Sequence, residues 1–119
     1  MFFINAQVLD IQGRINLSKF FKDTEVGIIY NDDKTFEVLT LDHPKIAPYK
    51  KYASIMKVDH KGRMVLPVWV RKLAKSESFL VAVRIELLEV DDRNDKKWES
   101  VILKPETIAL PMEKETEED

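Results

Sequence analysis

Apolar runs rich in β-branched and aromatic residues alternate with short polar breaks along most of the chain. Val26-Gly-Ile-Ile-Tyr30, the break Asn31-Asp-Asp33 and Thr35-Phe-Glu-Val-Leu-Thr-Leu41 predict two strands joined by a tight turn. Phe79-Leu-Val-Ala-Val83, continuing through Ile85 to Val90, and Trp98-Glu-Ser-Val-Ile-Leu103 predict a second, longer hairpin, with the charged stretch Asp91 to Lys97 as its loop. Two short segments depart from the β pattern. Ser18-Lys-Phe-Phe-Lys-Asp23 and Pro67-Val-Trp-Val-Arg-Lys-Leu73 each predict about two turns of helix, and Pro67 suits a first turn, where its missing N–H has no intrahelical partner anyway.

The same order of elements occurs twice. Asp10-Ile-Gln-Gly-Arg-Ile-Asn-Leu17 and Asp59-His-Lys-Gly-Arg-Met-Val-Leu66 agree at Asp, Gly, Arg and Leu at one constant offset, and they use two of the three glycines in the chain. At ordinary residue frequencies, D-x-x-G-R arises by chance at only about two positions in ten thousand, so two copies point to an internal duplication. Each copy reads as strand, tight Gly-Arg turn, strand, short helix, strand, strand. Residues 1–42 form the first repeat, 43–53 a linker carrying Pro44 and Pro48, 54–106 the second repeat, and 107–119 an acidic tail. That tail has too little apolar content to offset its ordering entropy and is expected to be disordered.

Charge distribution changes what the total implies. The formal net charge of −2 is the sum of 19 basic and 21 acidic residues. From His43 to Ala74, however, Lys45, Lys50, Lys51, Lys57, Lys61, Arg63, Arg71 and Lys72 face Asp59 as the sole acid, while Glu113 to Asp119 is acidic apart from Lys114 and Thr116. A basic middle of this kind fits a polyanion partner, and the acidic tail is expected to compete for it.

In this order of elements, Lys57-Val-Asp-His-Lys-Gly-Arg-Met-Val-Leu-Pro-Val-Trp-Val-Arg71 resembles the N-terminal DNA-binding module of AbrB-type regulators and MazE-type antitoxins. Two such units in one chain, each with an Asp-x-x-x-Arg signature, resemble MraZ. The first copy departs from the pattern, with Ser18 in place of Pro67 and Lys22 in place of Arg71. The resemblance implies a mostly β fold with short helices: a duplicated swapped-hairpin β-barrel in which two units interlock and neither is stable alone. It also implies a transcriptional regulator that binds double-stranded DNA, forms a homo-oligomer, and needs no cofactor. Its DNA-binding residues would be Arg14, Lys19, Lys22, Lys57, Lys61, Arg63, Arg71, Lys72 and Lys75, with Asp10, Gly13, Asp59 and Gly62 forming the structural hinges.

Two alternatives stand beside this reading. Arg14 and Arg63 either contact DNA or clamp their turns by pairing with Asp10 and Asp59. The chain as a whole is either a DNA binder or an antitoxin-like or oligomeric protein-interaction module. Trp69, Phe20 and Phe21 sit beside apolar residues and are expected to pack in the core. His43 and His60 lack neighbours at metal-ligand spacing, and no cysteine is present, so neither a metal site nor an enzyme is expected. Without a basic and apolar leader or a run of about 18 apolar residues, the expected location is the cytoplasm, on the nucleoid.

Overall fold

The structure, a computed structural model, describes residues 2–46, 54–90 and 94–106. Among the described residues, eight strands and one helix follow in the order β1 (Phe2–Val8), β2 (Arg14–Asn16), β3 (Thr24–Tyr30), β4 (Phe36–Thr40), β5 (Ser54–Val58), β6 (Arg63–Val65), α1 (Val68–Ala74), β7 (Ser78–Val90) and β8 (Asn94–Pro105). Six strands make one antiparallel sheet in the order β1-β7-β8-β4-β3-β5, and β2 pairs separately with β6.

That order is unchanged when the two halves are interchanged. The first strand of each half pairs with the third strand of the other, β1 with β7 and β5 with β3. The second strands pair with each other, as do the fourth. A half of roughly 45 residues is near the lower limit of size at which a chain buries enough surface to fold alone. Here neither half owns a sheet, and both contribute to one core of Ile15, Leu17, Val26, Ile28, Phe36, Val38, Met64, Leu66, Phe79, Val81, Val101 and Leu103.

Three expectations are corrected. The sheet is not a closed barrel, because β1 and β5 end it on opposite sides and do not pair. The short strands β2 and β6 turn away after their glycine hinges and lie over the core as a ribbon, with Ile15 and Met64 inward and each 1% exposed. The first short helix is a single turn, in which the N–H groups of Phe20 and Phe21 both donate to the Leu17 carbonyl. Only residues 18–23 separate Leu17 from β3, whereas residues 67–77 separate Leu66 from β7, so there is room for a helix in the second half alone. Finally, β8 starts at Asn94, so most of the polar stretch expected as loop is strand paired with β7, out to Val90 and Asn94.

The opposite face of the sheet is covered in part by the start of the expected linker. Ile46 packs with Ile29, Leu39 and Leu41, and His43 is buried with it. Residues 47–53, with Lys50 and Lys51, residues 91–93 of the expected loop and the acidic tail 107–119 lie outside the described residues. No helix among the described residues is long and apolar enough to cross a membrane.

Candidate nucleic-acid interface

The two hinges are built alike, bond for bond. The Asp10 Oδ1 atom accepts the backbone N–H groups of Gln12 (2.9 Å) and Arg14 (2.8 Å), and Oδ2 accepts the Arg14 Nε–H at 2.7 Å. In the second half, Asp59 Oδ1 accepts from Lys61 (2.9 Å) and Arg63 (2.8 Å), and Oδ2 accepts from the Arg63 Nε–H at 2.9 Å. Gly13 and Gly62, at φ +76° and +80°, close the turns in a backbone region that costs a side chain energy. Their N–H groups donate to the carbonyls of Asp10 and Asp59.

Because each carboxylate accepts three N–H bonds, its charged form is favoured. The backbone N–H of Arg63 is the main cause that holds the Asp59 carboxyl at about 2, ahead of the Arg63 side chain. Asp10 is likewise held below its usual value, first by the backbone N–H of Arg14. Each arginine is therefore paired with its own hinge carboxylate. These bonds use only Nε, and among the described residues no partner takes the terminal guanidinium nitrogens.

The halves tie these hinges together. The Leu17 N–H donates to the Gly62 carbonyl at 2.7 Å, and the Leu66 N–H donates to the Gly13 carbonyl at 3.0 Å. Ribbon register sets Arg14 opposite Val65 and Asn16 opposite Arg63. Since Ile15 and Met64 point inward, the outer surface of the ribbon consists of Arg14, Asn16, Arg63 and Val65. Lys61 is exposed on the second turn.

Helix α1 borders this surface. Arg71 and Lys72 occupy its last turn, and Lys75, at φ 52°, ends it. The Arg71 guanidinium lies over the first hinge: a β-carbon on Gly13 would come within 2.7 Å of its Nη1. An open cleft of about 590 Å³ is lined by Val68, Arg71, Lys72, Lys75, Ser76 and Glu77. Trp69 anchors the helix through an Nε1–H bond to the Ser54 hydroxyl (2.7 Å) and packs partly buried against the core, as Phe20 does, while Phe21 is fully within it.

Of the residues expected on DNA, the fold thus gathers Arg14, Lys61, Arg63 and Arg71 around the ribbon and sets Lys72 and Lys75 beside Arg71. Lys57 is exposed on β5 directly opposite Glu25, whose charge offsets it. Lys19 lines a groove with Asn5, Gln7, Ser18 and Phe20 that meets the ribbon at Asn16. Lys22 is exposed in the connection to β3.

Sequence reasoning missed two features. Asn16 is part of the ribbon surface, braced by Gln7, which accepts from its backbone N–H at 2.9 Å and donates to its carbonyl at 2.7 Å. On the opposite face, Glu37 is 0% exposed and is held by Arg84 (3.3 Å), Asn31 (3.2 Å), the Ser100 hydroxyl and, at 3.6 Å, the Lys45 ammonium. Lys45 also pairs with Glu86 at 3.1 Å. His43 adjoins this network, and burial lowers its pKa. No local pattern marked the network, because Glu37 between Phe36 and Val38 reads as the solvent-facing alternate of a half-buried strand. Among the described residues, no group of three or more His, Asp or Glu side chains is placed to hold a metal. No protein-family model matches the chain, and no curated protein matches it.

Proposed function

We propose that this chain is a DNA-binding transcriptional regulator of the AbrB/MraZ type, with a duplicated swapped-hairpin architecture and a nucleoid location. The reading is carried by one observation: a two-stranded ribbon whose outer surface presents two arginines, each braced by a carboxylate four residues earlier. A two-stranded ribbon is of a width that the major groove admits, and a guanidinium edge matches guanine or phosphate. Bracing fixes each side chain on folding, so an ordering cost of up to about 2 kcal/mol per arginine does not fall on binding. The arginine clamp and the DNA contact, set out as alternatives above, are compatible, since the clamp uses Nε and leaves the terminal nitrogens to the ligand. Lys61, Arg71, Lys72 and Lys75 are the phosphate contacts in this account.

Titration of a labelled duplex across a salt series tests it. Four phosphate contacts predict a slope of about −3 to −4 in log K against log salt. Binding that is absent at low salt, or indifferent to salt, counts against the proposal.

A protein-interaction module is the second reading, and a different observation favours it. β1 follows β7 only to Val83 and β4 follows β8 only to Val101, whereas β7 and β8 pair out to Val90 and Asn94. Among the described residues both edges of the arm lack a partner strand beyond those points and Ile85 is 40% exposed, and an isolated two-stranded ribbon is marginal in water without further contacts. A homo-oligomer or a separate protein partner joined at this arm fits that geometry and is compatible with DNA binding at the hinges.

A further inference from the structure

We infer that the ribbon reads an asymmetric duplex site, with Asn16 and Val65 as the residues that set its orientation. The inference rests on the DNA-binding reading above and concerns how the same surface distinguishes sequences.

Arg14 and Arg63 are equivalent in the two halves, in bonding as well as in position, so they read alike. Two residues further along each strand the equivalence ends, with Asn16 in one half and Val65 in the other. Both project from the outer surface, Val65 at 43% exposure. Ribbon register crosses them over: Val65 stands beside Arg14, and Asn16 beside Arg63.

The two ends of the surface consequently offer different chemistry. Around Arg63 lie Asn16, Lys61 and Ser18, which packs against Gly62. The Asn16 Oδ1 atom accepts the Ser18 N–H at 2.9 Å, which orients the amide with its Nδ2–H₂ group left to donate. In the major groove that group matches purine N7, guanine O6 or thymine O4. Around Arg14 lie Val65, which offers only methyl groups and matches a thymine C5-methyl, and the Arg71 guanidinium over Gly13. Helix α1, with Lys72 and Lys75, belongs to the second half, and the corresponding segment of the first half is a single turn. Base-reading groups and phosphate contacts are thus both distributed unequally about the pseudo-two-fold axis.

Selection from a short duplex tests this, with a randomised core of about eight base pairs, less than one helical turn, to confine the readout to one chain. Wild type, Val65→Asn and Asn16→Val are compared. Val65→Asn touches no hydrogen bond among the described residues, and Asn16→Val removes only the Ser18 bond, so both variants are expected to melt close to wild type. Wild type is expected to select a core without two-fold symmetry. Each variant makes the ribbon side chains at the two ends alike, while α1 still borders one end alone, and is expected to select a more nearly palindromic core, changing preference at one end by about five- to a hundredfold. The same base preferences in all three proteins, or a palindromic core from wild type, would overturn the inference while leaving DNA binding intact. No retention of the pool by any of the three, even at low salt, would overturn DNA binding and this inference together, whereas retention without sequence preference would overturn this inference alone.

Discussion

Replacing Gly62 by alanine should cost far more than the same replacement at Gly13, although the two glycines occupy equivalent places in the repeated motif. Both residues sit at positive φ, +80° and +76°, where an L side chain costs about 1–2 kcal/mol. What differs is the neighbour a methyl group would meet. At Gly13 it meets the Arg71 guanidinium, with Nη1 at 2.7 Å and Cζ at 3.1 Å, the far end of a flexible and exposed side chain that can swing aside. At Gly62 it meets Ser18 at its root, with the side-chain Cβ at 2.5 Å, the backbone N at 2.6 Å and the backbone Cα closer still. Ser18 follows Leu17, whose N–H bonds the Gly62 carbonyl at 2.7 Å, so relieving the clash pulls the halves apart at their crossing. Adding about 1–3 kcal/mol for overpacking and about 1 kcal/mol for the strained bond brings Gly62→Ala to roughly 3–6 kcal/mol, against about 1–2 kcal/mol for Gly13→Ala. Domains have about 5–15 kcal/mol in total, so the first variant should sit near the edge of folding. Urea unfolding followed by circular dichroism, with the slope compared as well as the midpoint, reads the difference. Equal losses from the two variants, or a larger loss from Gly13→Ala, would refute the argument that the crossing at Ser18 is the tighter one.

Other perturbations follow from the same structure. Arg84→Ala should destabilise the fold by about 3 kcal/mol, the low end for breaking a buried pair, because Asn31, Ser100 and Lys45 still hold the Glu37 carboxylate; urea midpoints check this, and a loss under 1 kcal/mol contradicts it. The Asp59 carboxyl titrates at about 2 in the folded chain, below its unfolded value near 4, so its contribution is fully present above pH 4 and lost as pH falls towards 2. Accordingly the melting-temperature gap between wild type and Asp59→Asn should be constant from pH 7 to 5 and shrink below pH 4; a gap that persists unchanged at pH 2 disproves the clamp's role. Ser76 donates its hydroxyl to the Glu106 carbonyl at 2.6 Å, which holds Glu106 beside the end of α1 and its cationic cleft. Deleting Glu113 to Asp119 should therefore tighten DNA binding severalfold at low salt; unchanged affinity there removes the tail from the account.

Residues that dictate local geometry were the legible ones. Gly13 and Gly62 mark turns because few residues tolerate positive φ, and the apolar runs around Val26, Phe36, Phe79 and Val101 mark strands because both periodicity and β-branching point the same way. Asp10 and Asp59 were legible as hinge partners from their spacing to the arginines. Which strand lies beside which was not legible: the apolar pattern describes faces, not neighbours, so the open order from β1 to β5 replaced the expected barrel. The first helix was over-read because residues 18–23 carry a helix-like pattern in a connection too short to hold one. Lys57 counted as part of a basic stretch in one dimension, but β5 sets it opposite Glu25. Glu37 was hidden for a related reason: between Phe36 and Val38 it reads as a solvent-facing alternate, and only the covering turn at His43 and Ile46 buries it.

The central claim is that the two braced arginines of the ribbon place this chain on duplex DNA. Arg14→Ala with Arg63→Ala leaves intact the backbone bonds to the Oδ1 atoms of Asp10 and Asp59, so the hinges keep their shape while the surface loses both guanidinium groups. Anisotropy titration of wild type and this double variant against one labelled duplex, at two salt concentrations, measures what those groups contribute. The account predicts salt-sensitive binding by wild type and a loss of tenfold or more in the variant at either salt. Equal affinity of the two proteins, or no binding by wild type at the lower salt, would contradict it.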